Sequence, residues 1–120
     1  MKFVVPLNVV LAVRTQDGAE RAKQSLLALL HGMVFRVAML SKGVPYEGAS
    51  AGDPVPFNGN FALPVWAFLE CPTQAAAAQA KGLVDGFLRE PTARDTIRAN
   101  GVPFEAASIG EPQPYQPPAR

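Results

Sequence analysis

The chain has 120 residues, 48% of them apolar and 18% charged, which is enough to bury one core and too apolar for global disorder. Eleven basic and ten acidic side chains leave a net charge of +1. Residues 1–60 hold six bases and four acids and the remainder five and six, so a broad electrostatic grip on duplex DNA or an anionic membrane is not expected.

In chain order, the first segment alternates Val5, Leu7, Val9, Leu11 and Val13 with Val4, Pro6, Asn8, Val10 and Ala12, a period of two that predicts a strand rather than a signal peptide. Pro6 lacks a donor, so pairing is expected to start after it or to bulge there. Asp17 followed by Glu20 resembles a capping box, and Ala19, Ala22, Leu26, Leu29, Leu30 and Met33 then fall on one helical face. Residues 34–40 have the propensity of a strand. Val44 to Ala51 reads as a short strand, and 52–60 as a turn-rich linker.

From Phe61 the chain repeats itself. At an offset of 58, residues 3–57 and 61–115 share 19 identities in 55 gap-free positions, where chance supplies roughly three or four. The block Gly43-Val44-Pro45-Tyr46-Glu47 returns as Gly101-Val102-Pro103-Phe104-Glu105, and Pro6, Thr15-Gln16, Ala22-Lys23 and Arg36 return as Pro64, Thr73-Gln74, Ala80-Lys81 and Arg94. This constant register predicts a tandem duplication.

The second copy resolves the first. Leu63, Val65, Ala67, Leu69 and Cys71 alternate with Ala62, Pro64, Trp66, Phe68 and Glu70, again a strand, followed by a helix from Thr73 to Leu88. Pro91 to Asn100 reads as a short helix with proline in its first turn, so residues 33–42 are expected to be helical too. Gly43 and Gly101 stand where left-handed helix terminators belong. Val102 to Ile109 is a second edge-type strand, and residues 111–120 a Pro-rich tail.

The expected fold is α+β: a single domain over 1–120 in which two βα(α)β units build a four-stranded antiparallel sheet with helices on one face. This order resembles a ferredoxin-like sandwich, with the first strand of each unit central and the Pro-bearing strands at the edges.

Chemistry-bearing residues are few. His31, the only histidine, sits at a helix C-terminus and reads as a cap. Cys71, the only cysteine, excludes an intramolecular disulfide and a cysteine-built metal cage and reads as a buried small hydrophobe. No phosphate loop, metal-ligand cluster or catalytic constellation is present, so no cofactor, metal or catalytic residue is expected. Arg36 and Arg94 are candidate anion contacts.

The open sheet face holds Trp66 and Phe68 in one copy and Asn8 and Val10 in the other, and this apolar face predicts contact with something. The expected function is a non-enzymatic protein-interaction or assembly module, homo-oligomeric through that face or bound to another protein. A dimeric α+β-barrel small-molecule binder or isomerase-like enzyme is the alternative. Single-stranded nucleic-acid binding is disfavoured because the aromatics lack flanking lysine and arginine. No stretch nears the ~18 apolar residues of a membrane span. No membrane association is therefore expected, the location is expected to be cytoplasmic, and the Ala-, Arg- and Pro-rich usage suggests a bacterial or phage source.

Overall fold

The computed structural model describes residues 1–115, so the expected tail is described only over 111–115. The chain is α+β: a six-strand antiparallel open sheet with four helices. In order, the elements are β1 (Lys2–Leu11), α1 (Gln16–Leu30), α2 (Met33–Ser41), β2 (Tyr46–Ala51), β3 (Val55–Phe57), β4 (Asn60–Glu70), α3 (Gln74–Arg89), α4 (Pro91–Ala99), β5 (Phe104–Ile109) and β6 (Gln113–Pro114). The strand order is β2-β4-β1-β5, with β3 also on β4 and β6 also on β1. Element bounds in the second half follow those in the first at the offset of 58 to within one residue throughout.

The centre of the sheet is the β1–β4 ladder, which runs unbroken from Lys2 opposite Glu70 to Leu11 opposite Phe61. Neither proline interrupts it, contrary to the expectation from their missing donors. The carbonyl of Pro6 accepts from the Gly110 N–H at 2.8 Å, and that of Pro64 from the Gly52 N–H at 2.9 Å. In an antiparallel strand the N–H and C=O of one residue point to the same side. The missing N–H of each proline therefore faces an outer lane, not the central ladder. It does so where that lane is broken, at Gly52-Asp53-Pro54 between β2 and β3 and at Gly110-Glu111-Pro112 between β5 and β6. Both breaks favour glycine: a Cβ on Gly110 would lie 2.9 Å from Pro6 Cγ, and one on Gly52 would lie 3.0 Å from Pro64 Cγ. The breaks are also tied to the helices, by Lys23–Asp53 at 3.9 Å and Lys81–Glu111 at 2.7 Å.

Residues 55–57, taken as linker, form β3. Asn58 and Gly59 both have positive φ, 48° and 82°, the requirement of a type I′ hairpin turn, and the turn folds β3 back onto Asn60–Ala62. Residues 113–114 likewise return to pair with Phe3 and Val4.

Helix α1 is capped two residues earlier than the expected capping box at Asp17. Its N-cap is Thr15, whose Oγ1 accepts from Gly18 N–H at 3.0 Å; Thr73 does the same for Ala76 N–H at 3.1 Å. Residues 33–41 and 91–99 are both helical, and both end as expected at a left-handed glycine, Gly43 with φ 84° and Gly101 with φ 85°. Val44 N–H reaches Met39 O at 2.9 Å and Gly43 N–H reaches Leu40 O at 3.0 Å, the two bonds of a Schellman motif. Met33 does not share the buried face of α1 as its spacing suggested. It opens α2, beyond a turn at Gly32, and is 73% exposed.

The core lies between the sheet and the helices. Phe3, Val5, Val9, Leu11, Leu63, Val65 and Leu69 are buried beneath Ala19, Ala22 and Leu26 of α1 and Ala77 and Ala80 of α3. Small residues bring the helices close at their starts. Towards their ends a cavity of about 70 Å³ remains, lined by Leu26, Leu29 and Leu30 and by their counterparts Val84, Phe87 and Leu88. A void of this size with no partner atoms destabilises by about 1–2 kcal/mol at ~24 cal/mol per Å³. Ala67 points into it from the centre of β4. Ala67→Val should therefore raise the unfolding free energy by about 1 kcal/mol, read from the denaturant midpoint at unchanged slope.

Candidate functional site

The open sheet face is built by the residues that alternate with the core. β1 contributes Val4, Pro6, Asn8 and Val10, and β4 contributes Ala62, Pro64, Trp66 and Phe68. Because the two strands are antiparallel, the copies run past each other. Trp66 stands opposite Pro6 and, on its other side, Ser50; Phe68 stands opposite Val4. Asn8 pairs with Pro64 and Ser108, and Val10 with Ala62 and Ala106. Val10 therefore does not lie beside Phe68. Ala62 and Phe68 are six positions apart along β4, about 20 Å at ~3.3 Å per residue.

Trp66 is 37% exposed, and its ring rests on Gly52, where a Cβ would approach Cη2 to 3.1 Å. Phe68 is half-buried because Tyr115 packs edge-on against it with ring centroids 5.4 Å apart. The tail thus covers one end of the face and leaves Trp66 open. At the other end β3 adds two residues from a segment expected to be linker. Val55 pairs with Ala62 and Phe57 with Asn60, on the same side as Trp66, and both are exposed, at 52% and 44%. The Asn-Gly pair at 58–59 is the signal that would have placed them, since it marks a hairpin.

Among the described residues the face carries no charge between its two ends: its polar groups are Asn8, Ser50 and Ser108. Charge stands at the two ends: Glu105 is exposed at the β5 bulge at one, and at the other Lys2 lies 3.4 Å from Glu47 and 6.0 Å from the centroid of Tyr115. Glu70 lies at the same end, beside the Met1 amino group. The two cavities described lie elsewhere, on the helix side.

Arg36 and Arg94 are exposed on α2 and α4, on the far side of the sheet from this face, and among the described residues neither forms a salt bridge. His31 caps α1, and its Nε2 donates to Ala49 O at 2.7 Å. Tyr46 Oη donates to Leu30 O at 2.7 Å, so two side chains pin the end of α1 to β2. Burial pushes the Tyr46 phenol up to about 12, an effect that the nearby Arg36 charge opposes. The folded value exceeds the ordinary value of 10.0, so the neutral phenol is favoured by folding. That contribution is complete below pH 10 and is lost as pH rises towards 12. An alkaline unfolding series should show this loss in the wild type and not in Tyr46→Phe, which at neutral pH should cost about 1 kcal/mol for the unpartnered Leu30 carbonyl.

Cys71 is 2% exposed, and its thiol is pushed up chiefly by burial and also by the adjacent Glu70 carboxylate, with the N-terminal ammonium acting the other way. Among the described residues no group of three or more His, Cys, Asp or Glu is placed to hold a metal. Comparisons of the chain with protein-family models and with curated proteins return no match.

Proposed function

We propose that the chain is a non-enzymatic assembly module that self-associates through its open sheet face. What supports this reading above all is the uncharged apolar band from Phe57 and Val55 through Trp66 to Val4 and Phe68, which no helix covers. Identical faces can meet sheet on sheet only if they carry no like charges into contact, and this band carries none between its ends. The net charge of +1 adds little long-range repulsion.

The same reading takes the two broken outer lanes, β2 with β3 and β5 with β6, as single strands. The sheet then has four lanes in a ferredoxin-like order, built by tandem duplication of the unit 3–57 as 61–115. Nucleic-acid binding is less well supported, because the basic group at the face is Lys2, already engaged by Glu47 and Tyr115. Size-exclusion chromatography with light scattering tests the proposal. An oligomeric wild type that Trp66→Ala turns into a monomer supports it, and a monomeric mass for both proteins overturns it.

A further inference from the structure

The second unpartnered apolar surface lies on the opposite side of the molecule, on α2. Met33, Val34, Val37 and Leu40 are 73%, 84%, 55% and 52% exposed. At ~100° per residue they form one stripe about 120° wide and about two turns long, while Phe35 and Met39 point inward. A helix apolar all round is ordinarily buried all round. The mirror helix α4 shows how an ordinary solvated version looks: the positions equivalent to Met33, Val34, Val37 and Leu40 are Pro91, Thr92, Asp95 and Arg98. Leu83 of α3, 41% exposed and within reach of Gly43, extends the stripe past the end of α2.

Charge distinguishes the possible occupants. From Arg21 to Tyr46 the chain holds Arg21, Lys23, Arg36, Lys42 and His31 and no acid, whereas the equivalent 79–104 holds Asp85, Glu90 and Asp95. Arg36 borders the stripe, and Lys42 caps the helix and lies 5.3 Å from the Phe87 ring centroid. The carboxylates on elements packed against α2 are neutralised: Glu47 of β2 by Lys2, and Asp85 of α3 by Arg89 at 3.3 Å. Asp17 and Glu20 belong to the start of α1, about 15–20 Å along the helix from its junction with α2. A second copy would bring Arg36 and Lys42 against their own kind. A convex helix that projects apolar side chains beside unopposed bases is complementary to an anionic interface.

We infer that α2 is a peripheral membrane-docking helix, which sets Met33, Val34, Val37 and Leu40 at the headgroup–acyl boundary of an anionic bilayer while Arg36 and Lys42 meet the headgroups. Among the described residues no single helix is long and apolar enough to cross a membrane, and α1, which would join α2 only in a span bent by 58°, packs its apolar face into the core, so α2 alone is offered and the contact is interfacial. It is independent of the sheet-face association, which uses the other side of the sheet.

The test is co-sedimentation of the full chain with vesicles of phosphatidylcholine containing phosphatidylserine, compared with phosphatidylcholine alone. Binding should require the anionic lipid and weaken with salt. Val34→Asp, at a position already in solvent, should weaken it about 10-fold or more, and Arg36→Glu about 30-fold for two units of charge near the surface. Trp66→Ala should bind the vesicles as the wild type does. Absence of binding to anionic vesicles at low salt overturns the inference, as does equal binding by folded Val34→Asp. A lipid-independent fall in oligomer mass on Val34→Asp assigns the stripe to a copy–copy contact and overturns it too.

Discussion

Leu69→Ala is expected to lower the unfolding free energy by about 3–5 kcal/mol. Leu69 is fully buried in the central strand β4 and already borders the cavity of about 70 Å³ beneath the helices. Truncation removes buried methyl groups and joins the space they leave to a void that the surroundings have not closed, so collapse recovers little. Leu11 is its equivalent at the offset of 58 and is also fully buried, but it does not line that cavity. Leu11→Ala should fall at the lower end of the same range. Denaturant unfolding at one fixed protein concentration measures both, because association would otherwise shift the apparent stability. The enlarged cavity of Leu69→Ala is lined by apolar side chains and should stay dry. Added benzene should then restore part of the lost stability in Leu69→Ala and none in Leu11→Ala. A cost below about 1 kcal/mol at Leu69 would mean that the site closes up.

The second large effect is expected at the open face. Trp66 is the one tryptophan, large and half in solvent, and its ring lies on a glycine, which gives it a flat bed without a side chain to hold it from above. A residue of that kind at the middle of an interface typically carries 2–4 kcal/mol on truncation. Trp66→Ala should therefore raise the dissociation constant of the proposed sheet-to-sheet dimer by about 30- to 1,000-fold. The monomer should lose much less, because the ring is only partly buried. Sedimentation equilibrium over a concentration series separates the two: a changed association constant with an unchanged thermal midpoint of the monomer is the expected pair of results. Phe57→Ser lies towards the rim and should weaken association by a smaller factor. If Phe57→Ser dissociates the oligomer and Trp66→Ala does not, the contact is centred on the β3 hairpin instead.

The internal repeat made much of this fold legible. Residues 34–40 have strand propensities, yet they are helical, and only their counterpart 92–98, with proline ahead of it and glycine after it, indicates so. Gly43 and Gly101 were readable because a left-handed residue followed by proline has few other uses. Where the reading failed, the deciding interaction was not periodic. Thr15 and Asp17 both suit a cap, and the choice rests on which backbone N–H each oxygen reaches. The prolines in β1 and β4 were judged by the donor they lack, when what matters is which neighbour that donor would have faced. Half of the open face was readable from alternation. The antiparallel offset that parts Val10 from Phe68, and the contribution of Val55 and Phe57, follow from pairing register, which alternation alone leaves free.

The paired breaks at Gly52-Asp53-Pro54 and Gly110-Glu111-Pro112 bear on how this protein behaves when crowded. A sheet edge is a template for recruiting further strands, and long flat edges seed fibres. Here each outer lane offers at most six residues before a glycine turns it aside and a buried proline withholds a donor. Growth by strand addition would have to cross that gap on both sides of the molecule. Concentrated solutions should therefore build discrete particles through faces, without a lag phase, thioflavin binding or a cross-β repeat.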